Sequence, residues 1–164
     1  MGNRQQQVFR FLSADQTAQF AAAMSPMLGS GDTILLAGGL GGGKTHFARA
    51  LISARLAVAG RAEDIPSPTF TLVQTYDDGL LELWHADLYR LSGPDDMAEL
   101  GLDQAMETAI CLIEWPDRLG GLAPADALTL TFEMTSRPGE RIVTAVYQVA
   151  KWSTILERAG VGDA

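Results

Sequence analysis

One eight-residue stretch constrains this chain more than any other feature: Gly38-Gly39-Leu40-Gly41-Gly42-Gly43-Lys44-Thr45. It matches G-x-x-x-x-G-K-[ST], and its flanks are those that a phosphate-holding loop needs. Before it, Thr33 to Ala37 is a short continuous apolar run, the pattern of a strand buried on both faces. After it, Phe47, Leu51, Ala54 and Val58 recur at helical spacing, so a helix is expected from near Lys44 to the stop signal Gly60. Glycines let such a loop wrap close to phosphates, and Gly38, Gly41, Gly42 and Gly43 are the expected backbone contacts. Lys44 is expected to reach the β- and γ-phosphates, the Thr45 hydroxyl to ligate magnesium, and the helix N-terminus to add positive potential. His46 should lie on the helix surface with its N–H near phosphate. The bland alternative is a glycine-rich turn that binds nothing, since the chain has 17 glycines. Against it stand the strand–loop–helix context and the lysine itself, one of two in the chain with Lys151.

A P-loop enzyme also needs a carboxylate at the end of a neighbouring strand to hold magnesium, directly or through water. Two fit. Glu114 closes the apolar run Ala109 to Ile113, and Asp87 follows Leu83-Trp84-His85-Ala86. Strand character favours Glu114 as the metal residue, and both stay open against a capping role or a pairing with Arg90. His85 reads as a packed structural histidine, Cys111 as an inert buried thiol, and Trp115 as core or as a shield over the site.

Around these motifs the chain alternates strands and helices. Val8 to Leu12 reads as a first strand. Ser13 and Gln16 fit a capping box for a helix carrying Phe20, Met24 and Met27 on one face, ended by Pro26, Gly29 and Gly31. Residues 71–76 and 80–86 flank Asp77-Asp78-Gly79 as a hairpin, and 94–105 is helical with a break near Gly101. Residues 127–134 alternate with Leu128, Leu130, Phe132 and Met134 on one face, pair with 142–147 across Pro138-Gly139, and are followed by a helix over 151–159. The pattern predicts an α/β fold, a three-layer P-loop-like sandwich whose mixed sheet has a parallel centre and an antiparallel edge. Its 164 residues suit one domain.

Charge narrows the partners. The net charge is −8 and the ten arginines are scattered, so phosphate neutralisation along a nucleic acid is not available to this chain alone. With one cysteine, no signal-like apolar run at the start, no membrane-length stretch and no Ser or Thr at position 6 for myristoylation, a cytoplasmic protein is expected.

Ser67-Pro68-Thr69-Phe70-Thr71-Leu72-Val73, His85-Ala86-Asp87-Leu88-Tyr89-Arg90-Leu91 and Ile113-Glu114-Trp115-Pro116 follow the loop in that order. Together the four motifs resemble the TsaE (YjeE) family, the bacterial ATPase of threonylcarbamoyladenosine synthesis on tRNA, over about residues 8–147. The resemblance implies a P-loop ATPase that binds ATP/ADP and Mg2+ and acts with TsaD and TsaB proteins. In that scheme tRNA is met only through the complex, and the ATPase is weak alone. By position, Lys44 and Thr45 hold phosphate and magnesium, Glu114 is the metal ligand, Asp87 supports magnesium or orients the attacking water, Thr69 lies in a nucleotide-sensing loop, and Trp115 walls the site. The chain departs from the family's loop at Gly39 and Gly42, where Asp and Ala are usual, and at Ala86, where Phe is common. None of these changes removes a phosphate donor.

Three rivals remain. A GTPase needs an Asn-Lys-x-Asp run, which a chain whose one asparagine is Asn3 cannot supply. A small-molecule or nucleoside kinase would use an arginine-bearing lid, for which Arg137 and Arg141 are the candidates. A nucleotide-dependent binding module would bind without turnover. Asp15 to Thr17 are expected to form part of the base pocket, from their nearness to the loop.

Overall fold

The structure is a computed structural model and describes residues 3–39, 41–66, 68, 72–91 and 96–160. Among them, seven strands form one mixed sheet: β1 (Gln5–Phe11), β2 (Thr33–Gly38), β3 (Val73–Asp77), β4 (Glu82–Asp87), β5 (Ile110–Glu114), β6 (Leu128–Met134) and β7 (Arg141–Tyr147). The helices are α1 (Ala14–Met24), α2 (Lys44–Val58), α3 (Asp96–Leu100), α4 (Leu102–Thr108) and α5 (Ala150–Ala159).

The sheet order is β1-β7-β6-β2-β5-β4-β3. The four middle strands β6, β2, β5 and β4 run parallel to one another, whereas β1–β7, β6–β7 and β3–β4 pair antiparallel. The antiparallel character expected at one edge is therefore present at both. The central strands owe their place to composition. Ile110 to Ile113 are wholly buried, as a strand covered on both faces must be.

Two apolar cores sandwich the sheet. On one face Phe20, Phe47, Leu51 and Trp152 from α1, α2 and α5 pack over Ile34, Leu36, Leu112 and Phe132. On the other, Leu102, Ala105 and Met106 of α4 and Leu119 of a short 3-10 segment pack over Leu35, Cys111 and Ile113. The result is the expected three-layer α/β sandwich.

Several local expectations are corrected. The first strand is Gln5–Phe11, and Leu12 lies beyond it. Ser13 caps α1 by accepting from the Gln16 N–H at 3.2 Å, but the Gln16 side chain reaches back to the Leu12 N–H at 2.7 Å, one residue before the cap. Val58, at the end of α2, is 87% exposed because the helical periodicity outruns the core. Met134 is 61% exposed, since the β2 ladder against β6 ends at Phe132 and leaves nothing beneath it.

Candidate functional site

Where β2 ends, three left-handed glycines turn the chain into α2: Gly38 (φ 125°), Gly41 (φ 76°) and Gly43 (φ 103°). At Gly38 the demand is steric as well, because a Cβ there would lie 2.4 Å from the carbonyl oxygen of Phe132. The first bond inside α2 runs from the Phe47 N–H to the Gly43 carbonyl at 2.9 Å, and no side chain caps the helix. The N–H groups of Lys44, Thr45 and His46 therefore have no acceptor within the helix. They sit at the positive end of 15 aligned peptides.

Lys44 is 4% exposed. Its Nζ donates to the Gly38 carbonyl at 2.7 Å and lies 3.5 Å from the centre of the Trp115 ring. Burial pushes its ammonium below the ordinary lysine range, against the opposing pull of Glu114, Asp87 and Asp117. Trp115 adopts a left-handed backbone, φ 61°, immediately after β5, and Tyr89 packs on its ring with centroids 4.9 Å apart. Among the described residues the other non-glycine residue with positive φ is Leu72. Its carbonyl accepts from the Asp87 N–H at 2.8 Å, and its N–H donates to the Pro68 carbonyl at 2.8 Å. Both departures flank the cleft, where such strain is commonly concentrated.

Parallel register sets Asp87 opposite Glu114 at the mouths of β4 and β5. The Glu114 carboxylate is 2% exposed and accepts from two donors. Thr45 Oγ1 lies 2.7 Å from Oε1 and 2.9 Å from Oε2, and His85 Nε2 lies 2.7 Å from Oε2. Because a carboxylate only accepts, His85 carries its proton on Nε2, and its buried Nδ1 has no partner among the described residues. His85 is thus packed, as expected, yet it grips the candidate metal carboxylate. Asp87 accepts from the Tyr89 N–H at 3.0 Å.

Gly41 to His46, Asp87, Tyr89, Arg90, Glu114, Trp115 and Arg141 line a cleft of about 500 Å³. All the proposed site residues that the structure describes therefore converge, Gly38 through its bond to Lys44. Thr69 and most of its loop lie outside the described residues. Asp15 to Thr17 do not line the cleft, although the α1 N-terminus is near: His46 Nε2, on the surface, donates to the Ala14 carbonyl at 2.9 Å. Arg141, considered above for the arginine-bearing lid of a kinase, instead donates to loop carbonyls, to Gly42 at 2.9 Å and Gly41 at 3.1 Å. Thr45, Glu114 and Asp87 offer hard oxygen donors that suit magnesium. Among the described residues no three His, Cys, Asp or Glu side chains cluster as a protein-only metal cage.

A central parallel strand that turns through glycines into a helix opening on Lys-Thr belongs to the P-loop class of α/β folds. Within that class, residues 11–143 match the family described as "Threonylcarbamoyl adenosine biosynthesis protein TsaE", and the chain belongs to that family. It is 37% identical to the tRNA threonylcarbamoyladenosine biosynthesis protein TsaE of Rickettsia bellii over 122 residues, covering 74% of this chain and 83% of the relative. The Treponema pallidum protein of the same name is 33% identical over 134 residues, covering 81% and 96%. The crystal structure of Bacillus subtilis YdiB shares the fold, with a TM-score of 0.75 over the whole of both chains at 24% identity. No helix among the described residues is long and apolar enough to cross a membrane.

Proposed function

We propose that this chain binds ATP with magnesium in the cleft at the end of β2 and hydrolyses it to support formation of threonylcarbamoyladenosine on tRNA. It would do so in the cytoplasm with TsaD and TsaB proteins. The observation that carries the reading is the meeting of Thr45 and Glu114, 2.7 Å apart, beside a buried lysine and three helix N–H groups without intrahelical acceptors.

The geometry supports the following roles, and the family resemblance suggests that of Thr69. The N–H groups of Gly43 to His46 hold the phosphates, and Lys44 exchanges the Gly38 carbonyl for the β- and γ-phosphate oxygens. Thr45 and Glu114 hold magnesium, whose charge would offset that of the phosphates. Asp87, opposite Glu114 in the ladder, supports the ion or orients the attacking water. Trp115 and Tyr89 wall the cleft, and Thr69 is the proposed sensor of the γ-phosphate. With a net charge of −8, contact with tRNA falls to the partners.

The test is calorimetric titration of ATP and GTP into wild type and Lys44→Ala, followed by ATPase assays alone and with TsaD, TsaB and tRNA. ATP affinity lost in Lys44→Ala, with turnover raised by the partners, is expected. Unchanged affinity in Lys44→Ala would remove the site, and a phosphorylated small-molecule product would turn the reading to a kinase.

A further inference from the structure

We propose that Arg141 is a positioning residue for the phosphate loop, a strut that holds the loop in its binding shape before any ligand arrives. The inference rests on the nucleotide-binding reading above and goes beyond it. A loop that turns N–H groups inward leaves carbonyls facing outward, where a donor can fix their direction. Arg141 supplies them: Nε to the Gly42 carbonyl at 2.9 Å and an Nη to the Gly41 carbonyl at 3.1 Å. The other Nη donates to the Glu140 carbonyl at 2.8 Å, which braces the guanidinium against the backbone just before its strand. Its side chain also lies along Gly43, where an added Cβ would stand 3.5 Å from the Arg141 Nε.

The base of the strut is firm. Arg141 is the first residue of β7 and is laddered on both sides, to Met134 of β6 and Phe11 of β1. The loop is not intrinsically firm. Five of the six residues 38–43 are glycine, so the isolated loop has more conformations to lose than an ordinary one. Two charge-assisted bonds from a planar fork are suited to select one of them, and a lysine, a single point charge, is not an equivalent. Affinity scales with the fraction of molecules already in the competent shape. A strut therefore acts on every phosphate ligand alike, whereas a phosphate contact acts most where the phosphate is.

The experiment compares wild type, Arg141→Ala, Arg141→Lys and Lys44→Ala, with ATP, ADP and inorganic pyrophosphate as probes, each with and without magnesium. Backbone amide relaxation is recorded for residues 41–43 in the nucleotide-free proteins. Arg141→Ala is expected to lose about ten-fold in affinity for all three probes, equally with and without the metal, with Arg141→Lys between it and wild type. Order parameters at 41–43 should drop from a rigid level near 0.8 to below about 0.6 in Arg141→Ala. A loss confined to ATP would make Arg141 a γ-phosphate contact and overturn the strut, as would unchanged affinity. Unchanged loop order in the nucleotide-free variant overturns it whether or not wild type binds nucleotide. Failure of the binding reading itself shows separately, as Lys44→Ala matching wild type.

Discussion

Replacing Glu114 by glutamine separates the carboxylate's charge from its structural duties. The wild-type side chain accepts from Thr45 Oγ1 at 2.7 and 2.9 Å and from His85 Nε2 at 2.7 Å. A glutamine in the same place offers one acceptor oxygen and one NH2. With its oxygen towards His85, that bond survives. Its NH2 then faces Thr45, whose hydroxyl can turn from donor to acceptor. No buried group is stranded, so Glu114→Gln should change folding stability by less than about 1 kcal/mol. Glu114→Ala leaves the His85 N–H without an acceptor in a wholly buried site, which costs about 1–3 kcal/mol. Both variants lose the negative charge beside Thr45. Each should lose roughly 10- to 100-fold of the magnesium-dependent part of nucleotide affinity while keeping most of the metal-free part. Urea titration reads the stability difference, and calorimetry with ADP, with and without magnesium, reads the coupling. Full magnesium coupling in Glu114→Gln would refute the assignment and pass the metal role to Asp87. Equal destabilisation of the two variants would refute the hydrogen-bond accounting.

Two further outcomes are expected away from the metal carboxylate. Gly38→Ala should destabilise by on the order of 3 kcal/mol or more, since its Cβ meets the Phe132 carbonyl at a left-handed position; Gly39→Ala, with nothing within 4 Å, should stay within about 0.5 kcal/mol by the same urea assay, and equal effects would contradict the geometry. Asp78 is pushed up by burial but held down further by the N–H groups of Leu81 and Leu80 and by Arg55, to about 2 from 3.8. A depressed carboxyl contributes stability that is complete above its unfolded value and fades as pH falls through the folded one. Asp78→Asn should thus lag wild type by about 2 kcal/mol at pH 7, with the gap closing as pH drops from about 4 to 2; a gap that persists at pH 2 would sink the account.

What was legible in the sequence is what neighbours in the chain determine. The apolar run before Gly38, the Lys-Thr pair and the run ending at Glu114 each carry a local signal, and they placed β2, α2 and β5 to within about two residues. The grip of His85 on Glu114 was not legible. It depends on β4 and β5 lying parallel in one register, so that positions 85 and 114 fall on the same face a step apart. Arg141 was visible as a cation near a turn, but its partners lie 99 and 100 positions away and are backbone atoms, which no side-chain pattern betrays. Val58 and Met134 failed for a third reason. Periodicity tells which way a side chain faces, not whether anything is there to meet it.

The pairing of β1 with β7 has a consequence for the order of events during synthesis. Phe11 is laddered to Arg141, and β7 is the partner assigned to β1 in the sheet. β1 therefore leaves the ribosome well before its partner β7 and is laddered late, after a wait on the order of ten seconds at ordinary elongation rates. It need not wait uncovered. The rings of Phe9 and Phe11 lie 5.0 and 4.8 Å from that of Phe20 in the adjoining helix α1, so the nascent strand can shelter its aromatic face locally at once. On the opposite side Gln6 and Arg10 flank the exposed Val8, so that face is mostly polar in the interval. A segment built this way can emerge early and be completed late without offering a bare aromatic face to its neighbours on the polysome.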